Sequence, residues 1–149
     1  MSAGTDARAL AELLARTPLV VRRGPYAMGC WARAQASAVG SGLLRARSDV
    51  ALHFVDDLEV TALVREAALA ELPPPRGVQR GFSIVTLDTV MAWDLTGVLA
   101  AVTAPLAAAG IPLGAVTAYS RDHVLVPWDR LDEALAALSP LCGPVRAVD

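Results

Sequence analysis

Asp94-Leu95-Thr96-Gly97-Val98-Leu99-Ala100-Ala101-Val102-Thr103-Ala104-Pro105-Leu106-Ala107-Ala108-Ala109-Gly110-Ile111-Pro112 decides how the second half of this 149-residue chain folds. Leu95, Val98, Leu99, Val102 and Leu106 recur at helical spacing, so the stretch is expected to form a helix with one apolar face. Asp94 stands where an N-cap belongs. Pro105 falls inside the helix, where it removes one backbone donor and should bend it. Gly110 suits the position just past the helix end, and Pro112 prevents the helix from resuming.

The flanks complete a pattern. Phe82 to Leu87 is rich in strand formers, Leu113 to Ala118 reads as a second strand, and Ser120 to Asp122 as a turn into a third, His123 to Val126. Asp129 is placed to cap a last helix, Arg130 to Leu138, with Leu131, Leu135 and Leu138 on one face. Asp132 and Glu133 suit the positive end of that helix. Pro144 to Val148 is expected as a closing edge strand with its proline at the start. Strand, helix, strand, strand, helix, strand is the split βαβ, ferredoxin-like order.

The first half repeats this plan imperfectly. Thr5 to Thr17 reads as an extra helix, capped by Thr5 or Asp6, with Leu10, Leu13 and Leu14 as its stripe and Pro18 ending it. Leu19 to Val21 is a short strand, Arg22 to Pro25 a turn, and Tyr26 to Trp31 a further strand. Ala34 to Leu44 has few large apolar residues and is expected as a shortened or irregular crossover. Val50 to Val55 and Leu58 to Val64 form a hairpin around Asp56-Asp57. Arg65 to Leu72 is a short helix. Pro73-Pro74-Pro75-Arg76-Gly77 is an extended linker and sets the module boundary. The fold class is therefore α+β. Two tandem ferredoxin-like modules with antiparallel sheets, 18–77 and 78–149, follow an N-terminal helix over 1–17.

Composition excludes several roles. With 54% hydrophobic and 19% charged residues the chain has enough apolar surface for a core and is not a disordered segment. Its apolar runs are broken by Asp, Arg, Pro or Gly well before the ~20 residues of a membrane span. Met1 to Ala15 carries Asp6, Arg8 and Glu12 and lacks the order of a signal peptide, so the expected location is cytoplasmic, away from membranes. A net charge of −2 argues against a nucleic-acid partner. Arg22-Arg23, Arg45 and Arg47 are read as ordinary solvated charges. Cys30 and Cys142 are far apart, form no C-x-x-C, and are expected as buried apolar groups. His53 and His123 lack a third ligand at suitable spacing, so no metal or other cofactor is expected. No nucleophile motif or phosphate loop occurs, and the chain is not expected to be an enzyme.

The run from Asp94 to Ile111, continued by Thr117-Ala118-Tyr119-Ser120-Arg121-Asp122-His123-Val124-Leu125-Val126, resembles the ACT-like domains of small bacterial tandem-ACT proteins. It is also similar to the ACT repeats of the CASTOR arginine sensors. The first half resembles them more loosely, through Leu19-Val20-Val21, Gly24, Tyr26-Ala27-Met28 and the Asp57-Leu58 hairpin. Ser120-Arg121 departs from the small acidic pair usual in the family.

The resemblance implies an amino acid or similar metabolite bound between modules, near the first strand-to-helix loop. A helix N-terminus at Leu95-Thr96-Gly97 offers free N–H groups to a carboxylate. Gly97 admits close approach, and the Thr96 hydroxyl can donate or accept. Asp122 suits an ammonium group, while Tyr119 and Ser120 complete a wall at the same end. Each also has a structural reading: Asp94 as a cap, Gly97 as a packing site, Asp122 as a turn residue, Tyr119 as half-buried packing. A homodimer is expected as well, and an exposed Trp31, Trp93 or Trp128 would strengthen that. The alternative from another class is an interaction or dimerisation module with no ligand.

Overall fold

Two long strands, β1 (Leu19–Ala32) and β4 (Gly77–Leu87), organise the chain. The computed structural model describes the backbone of residues 3–148 and the side chains of residues 7–148. β1 runs unbroken through Arg22 to Pro25, where a turn is expected from the Gly-Pro pair. Leu19 and Val21 before it, and Tyr26 and Ala27 after it, are all buried, and a single strand satisfies both sides. The Pro18 carbonyl accepts from the Asp88 N–H at 2.9 Å and the Cys30 carbonyl from Arg76 at 2.8 Å, so β1 and β4 run antiparallel.

The chain forms two compact units, residues 24–82 and residues 1–23 with 83–149. β1 and β4 each contribute residues to both units. Pro73, expected in a linker, lies inside residues 24–82, where its carbonyl accepts the Trp31 indole N–H at 2.7 Å.

In the unit of residues 24–82 the strand order is β2-β3-β1-β4, with β2 (Leu52–Val55) and β3 (Glu59–Arg65) forming the expected hairpin. Asp56 closes its turn by accepting from the Leu58 and Glu59 N–H groups, each at 2.8 Å. Those bonds hold the Asp56 carboxyl below its usual range. α2 spans Ala36–Ala46 as a regular helix, not the irregular crossover expected. Its small residues serve close packing: a Cβ on Gly42 would lie 2.6 Å from the Glu71 carbonyl, in the 3₁₀ turn Glu66–Glu71 that replaces the expected short helix. Trp31, Val39, Val60, Ala62 and Leu72 form the core beneath.

The unit of residues 1–23 and 83–149 orders its strands as β7 (Val145–Val148), β1, β4, β6 (Asp122–Pro127) and β5 (Gly114–Thr117). It also contains α1 (Ala3–Arg16), α3 (Val98–Ala108) and α4 (Leu131–Leu138). Antiparallel pairing was expected throughout, but β7 pairs with β1 in parallel, Leu19 opposite Val145. β1 occupies the place beside β4 and runs against it, so a last strand beyond β1 runs with it. Leu14, Leu87, Val102, Leu106, Val124 and Leu138 are among the buried side chains of its core.

The helix starts correct three expected caps. α3 begins at Val98, after Gly97 in the left-handed region (φ 88°), so Asp94 does not cap it. Asp129 lies within the 3₁₀ turn Trp128–Arg130, and Arg130 is the cap of α4. α1 begins at Ala3, ahead of Thr5 and Asp6, whose side chains lie outside the described residues. The end of α3 is as expected. Gly110 N–H donates to Ala107 and Ile111 N–H to Leu106, the double bond pattern of a glycine-terminated helix. Among the described residues no helix is long and apolar enough to cross a membrane.

Candidate functional site

β4 ends at Leu87, and the chain takes residues 88–97 to reach α3. That loop meets the β5–β6 turn, where the Ala118 N–H donates to the Arg121 carbonyl at 2.9 Å. The Met91 N–H donates to the Ser120 carbonyl at 3.1 Å, and Arg121 Nη1 donates to Asp88 Oδ1 at 3.0 Å. Arg146 takes the other Asp88 oxygen at 2.6 Å. Drawn together, loop and turn enclose a cavity of about 240 Å³, every lining residue of which belongs to the unit of residues 1–23 and 83–149.

Of the seven expected site residues, Leu95, Gly97, Tyr119 and Asp122 line this cavity. Asp94 and Thr96 are exposed and do not line it. Ser120 contributes its carbonyl to the loop contact. Asp122 is not a turn residue but the first residue of β6, opposite Thr117, and only 7% exposed. Its carboxylate has no hydrogen-bond or ion-pair partner among the described residues. Tyr119, expected as half-buried, is fully exposed at the mouth, and Trp93 beside it is 91% exposed. Sequence reasoning missed Met91, Trp93 and Thr117 as lining residues. The apolar run Met91-Ala92-Trp93 before the helix was the available signal.

Residues 77–140 match the family model for the ACT domain. Over that stretch the chain is similar to an ACT domain. No curated protein matches the sequence. Among solved structures, a protein of Agrobacterium tumefaciens is similar at 21% identity and TM-score 0.69, covering 90% of this chain and 95% of its own. A Vibrio cholerae protein described as a possible transport protein aligns at 22% identity and TM-score 0.65, covering 91% and 98%. The regulatory subunit of aspartate kinase from Thermus thermophilus aligns at 17% identity and TM-score 0.61, covering 83% and 95%. At these identities the likeness is one of fold.

The glycine before α3 has a packing neighbour. A Cβ on Gly97 would lie 3.2 Å from Leu10 Cδ2 on α1, and φ 88° is unfavourable for any L side chain. Gly97→Ala is therefore expected to lower stability by about 1–2 kcal/mol, read from chemical denaturation.

Behind the cavity, on the other side of β6, His123 Nδ1 lies 2.9 Å from the Thr86 hydroxyl, which accepts from Arg22 Nη1 at 3.3 Å. The Thr86 hydroxyl carries one donor and two acceptor sites, so it serves either tautomer of the neutral imidazole while accepting from Arg22. Burial, then the charges of Arg121 and Arg22, pull the His123 pKa below its ordinary value. The unfolded chain takes a proton near pH 6.5 that the folded chain refuses, so this residue costs stability as pH falls below that point. Melting curves at pH 7 and pH 5 should show a smaller loss for His123→Gln than for the parent. An equal loss would assign the effect to other groups.

Elsewhere the expected surface charges find local partners: Arg23 pairs with Asp132 at 3.2 Å and Arg45 with Glu71 at 3.8 Å. Both cysteines are free, and burial pushes the Cys142 thiol up, away from reactivity. His, Cys, Asp and Glu form no group of three or more fit to hold a metal among the described residues.

Proposed function

We propose that this ACT protein is a cytoplasmic regulatory sensor that binds an amino acid or similar small metabolite and acts by binding, not catalysis. The observation that carries the reading is Asp122, a residue only 7% exposed that lines the cavity and whose carboxylate makes no hydrogen bond to another described residue. A carboxylate facing the cavity with no partner from the protein is open to a ligand ammonium as its counter-charge. The first N–H groups of α3 border the same cavity and suit the ligand carboxylate. The shared fold with the regulatory subunit of an aspartate kinase supports a regulatory role.

Two tandem ACT-like modules are part of the proposal. The order β2-β3-β1-β4 in one unit and β5-β6-β4 followed by β1 and β7 in the other support two copies of one plan. A homodimer would cover the free edges of β2 and β5. Trp31 is buried and adds nothing to that reading, whereas Trp93 and Trp128 are exposed and favour it.

A thermal-shift screen against the common amino acids tests the sensor reading. A ligand present at about 100 Kd should add ~2.7 kcal/mol to the stability of the folded chain. The second reading, a ligand-free interaction module, is favoured by exposed Trp93 and Tyr119. It becomes the better account if no amino acid shifts the melting curve.

A further inference from the structure

Resting on the amino-acid reading of this cavity, we propose that its ligands are amino acids with apolar or aromatic side chains. Asp122 would hold their ammonium group and the start of α3 their carboxylate. The charge inventory leads there. Asp122 is the one charged side chain among the described residues lining the cavity. It matches an α-ammonium and leaves nothing for a second cation. Asp88, the nearest other carboxylate along the loop, is held by Arg121 and Arg146. A third charge of either sign on the ligand would therefore enter without a counter-charge. An acidic side chain fares no better, because Arg121 is itself engaged by Asp88.

The carboxylate has a place. α3 has eleven residues, its first intrahelical bond runs from Ala101 to Gly97 at 2.9 Å, and Gly97 supplies no side-chain cap. The N–H groups of Val98, Leu99 and Ala100 therefore lack acceptors within the helix, and its positive end faces the wall that Gly97, Val98 and Leu99 form. Thr117 is a polar member of the remaining wall, most of which is apolar. Met91, Leu95 and Leu99 line it, and the rings of Trp93 and Tyr119 stand at its mouth almost wholly in water. Two exposed aromatic rings beside a cavity gain cover from an apolar ligand side chain.

Titration calorimetry of the full chain with leucine, phenylalanine, alanine, lysine, glutamate and 3-methylbutylamine decides the matter. Leucine or phenylalanine should bind, with alanine weaker by roughly tenfold or more, as expected when apolar groups leave an apolar pocket. Lysine, glutamate and the amine, which lacks the carboxylate, should give no measurable heat at the same concentration. Trp93→Ala should weaken the apolar ligands severalfold without changing the melting temperature of the free protein, since that ring is exposed. Tightest binding by lysine or glutamate would overturn the ligand class while leaving the amino-acid reading standing. Equal binding of the amine would overturn the role of α3. Silence from all six would sink the amino-acid reading together with this inference.

Discussion

Trp31→Ala is expected to cost about 3–5 kcal/mol, a large part of the stability of a protein this size. Trp31 is fully buried, the largest side chain in the core of residues 24–82, and packs with Val39, Val60, Ala62 and Leu72. Truncation opens a cavity that the rigid sheet and α2 cannot collapse to fill. It also removes the indole donor to the Pro73 carbonyl, a 2.7 Å bond that ties the proline segment to β1. Trp31→Phe separates the two effects, since it keeps most of the ring volume and loses only the donor. Its expected cost is about 1–2 kcal/mol. Far-UV circular dichroism melts should show a drop of roughly 10 °C or more for the alanine variant. A loss below about 1 kcal/mol for Trp31→Ala would mean that this tryptophan does not organise the core.

Parts of both cores were legible in the sequence, and parts were hidden for physical reasons. The stripe Val98, Val102 and Leu106 was legible because large apolar residues at helical spacing have one economical use, and all three are buried. The hairpin around Asp56 was legible because its turn is made by a local side chain bonding N–H groups two and three residues on. β1 was not legible as one strand. Gly24-Pro25 is a local turn signal, and only the burial of residues on both sides overrides it. α2 was hidden for the opposite reason: its small residues look like weak helix formers until the close approach of Glu71 to Gly42 is seen. The parallel pairing of β7 depends on which strand lies beside β4, a long-range choice with no local signature.

The site divides along the same line. Asp122 and Gly97 were read as binding residues from their position at one end of a module, and both line the cavity. Asp94 and Thr96 were read from an assumed helix start at Leu95. A glycine in the left-handed region moves that start to Val98 and turns both side chains to solvent. Trp93 was missed because an apolar run such as Met91-Ala92-Trp93 before a helix is ordinarily read as core.

Asp122→Asn is expected to abolish ligand-induced stabilisation while leaving the free protein as stable as the parent or more stable, by up to about 1 kcal/mol. The two halves of this result have one cause. The Asp122 carboxylate lines the cavity and makes no hydrogen bond to another described residue, so an amide of the same shape breaks nothing in the free protein. In the complex the carboxylate is the counter-charge of the ligand ammonium. Removing one partner of a buried, hydrogen-bonded charge pair costs about 2–5 kcal/mol, which corresponds to a loss of roughly thirtyfold to several thousandfold in affinity. Melting curves of parent and variant, each with and without saturating amino acid, read both quantities in one experiment. A variant less stable than the parent by more than about 1 kcal/mol would make Asp122 a structural residue of β6. A variant that keeps the full ligand shift would place the ammonium elsewhere. Stability retained with the shift lost is the pattern of a charge kept in the wall of the fold for a ligand to neutralise.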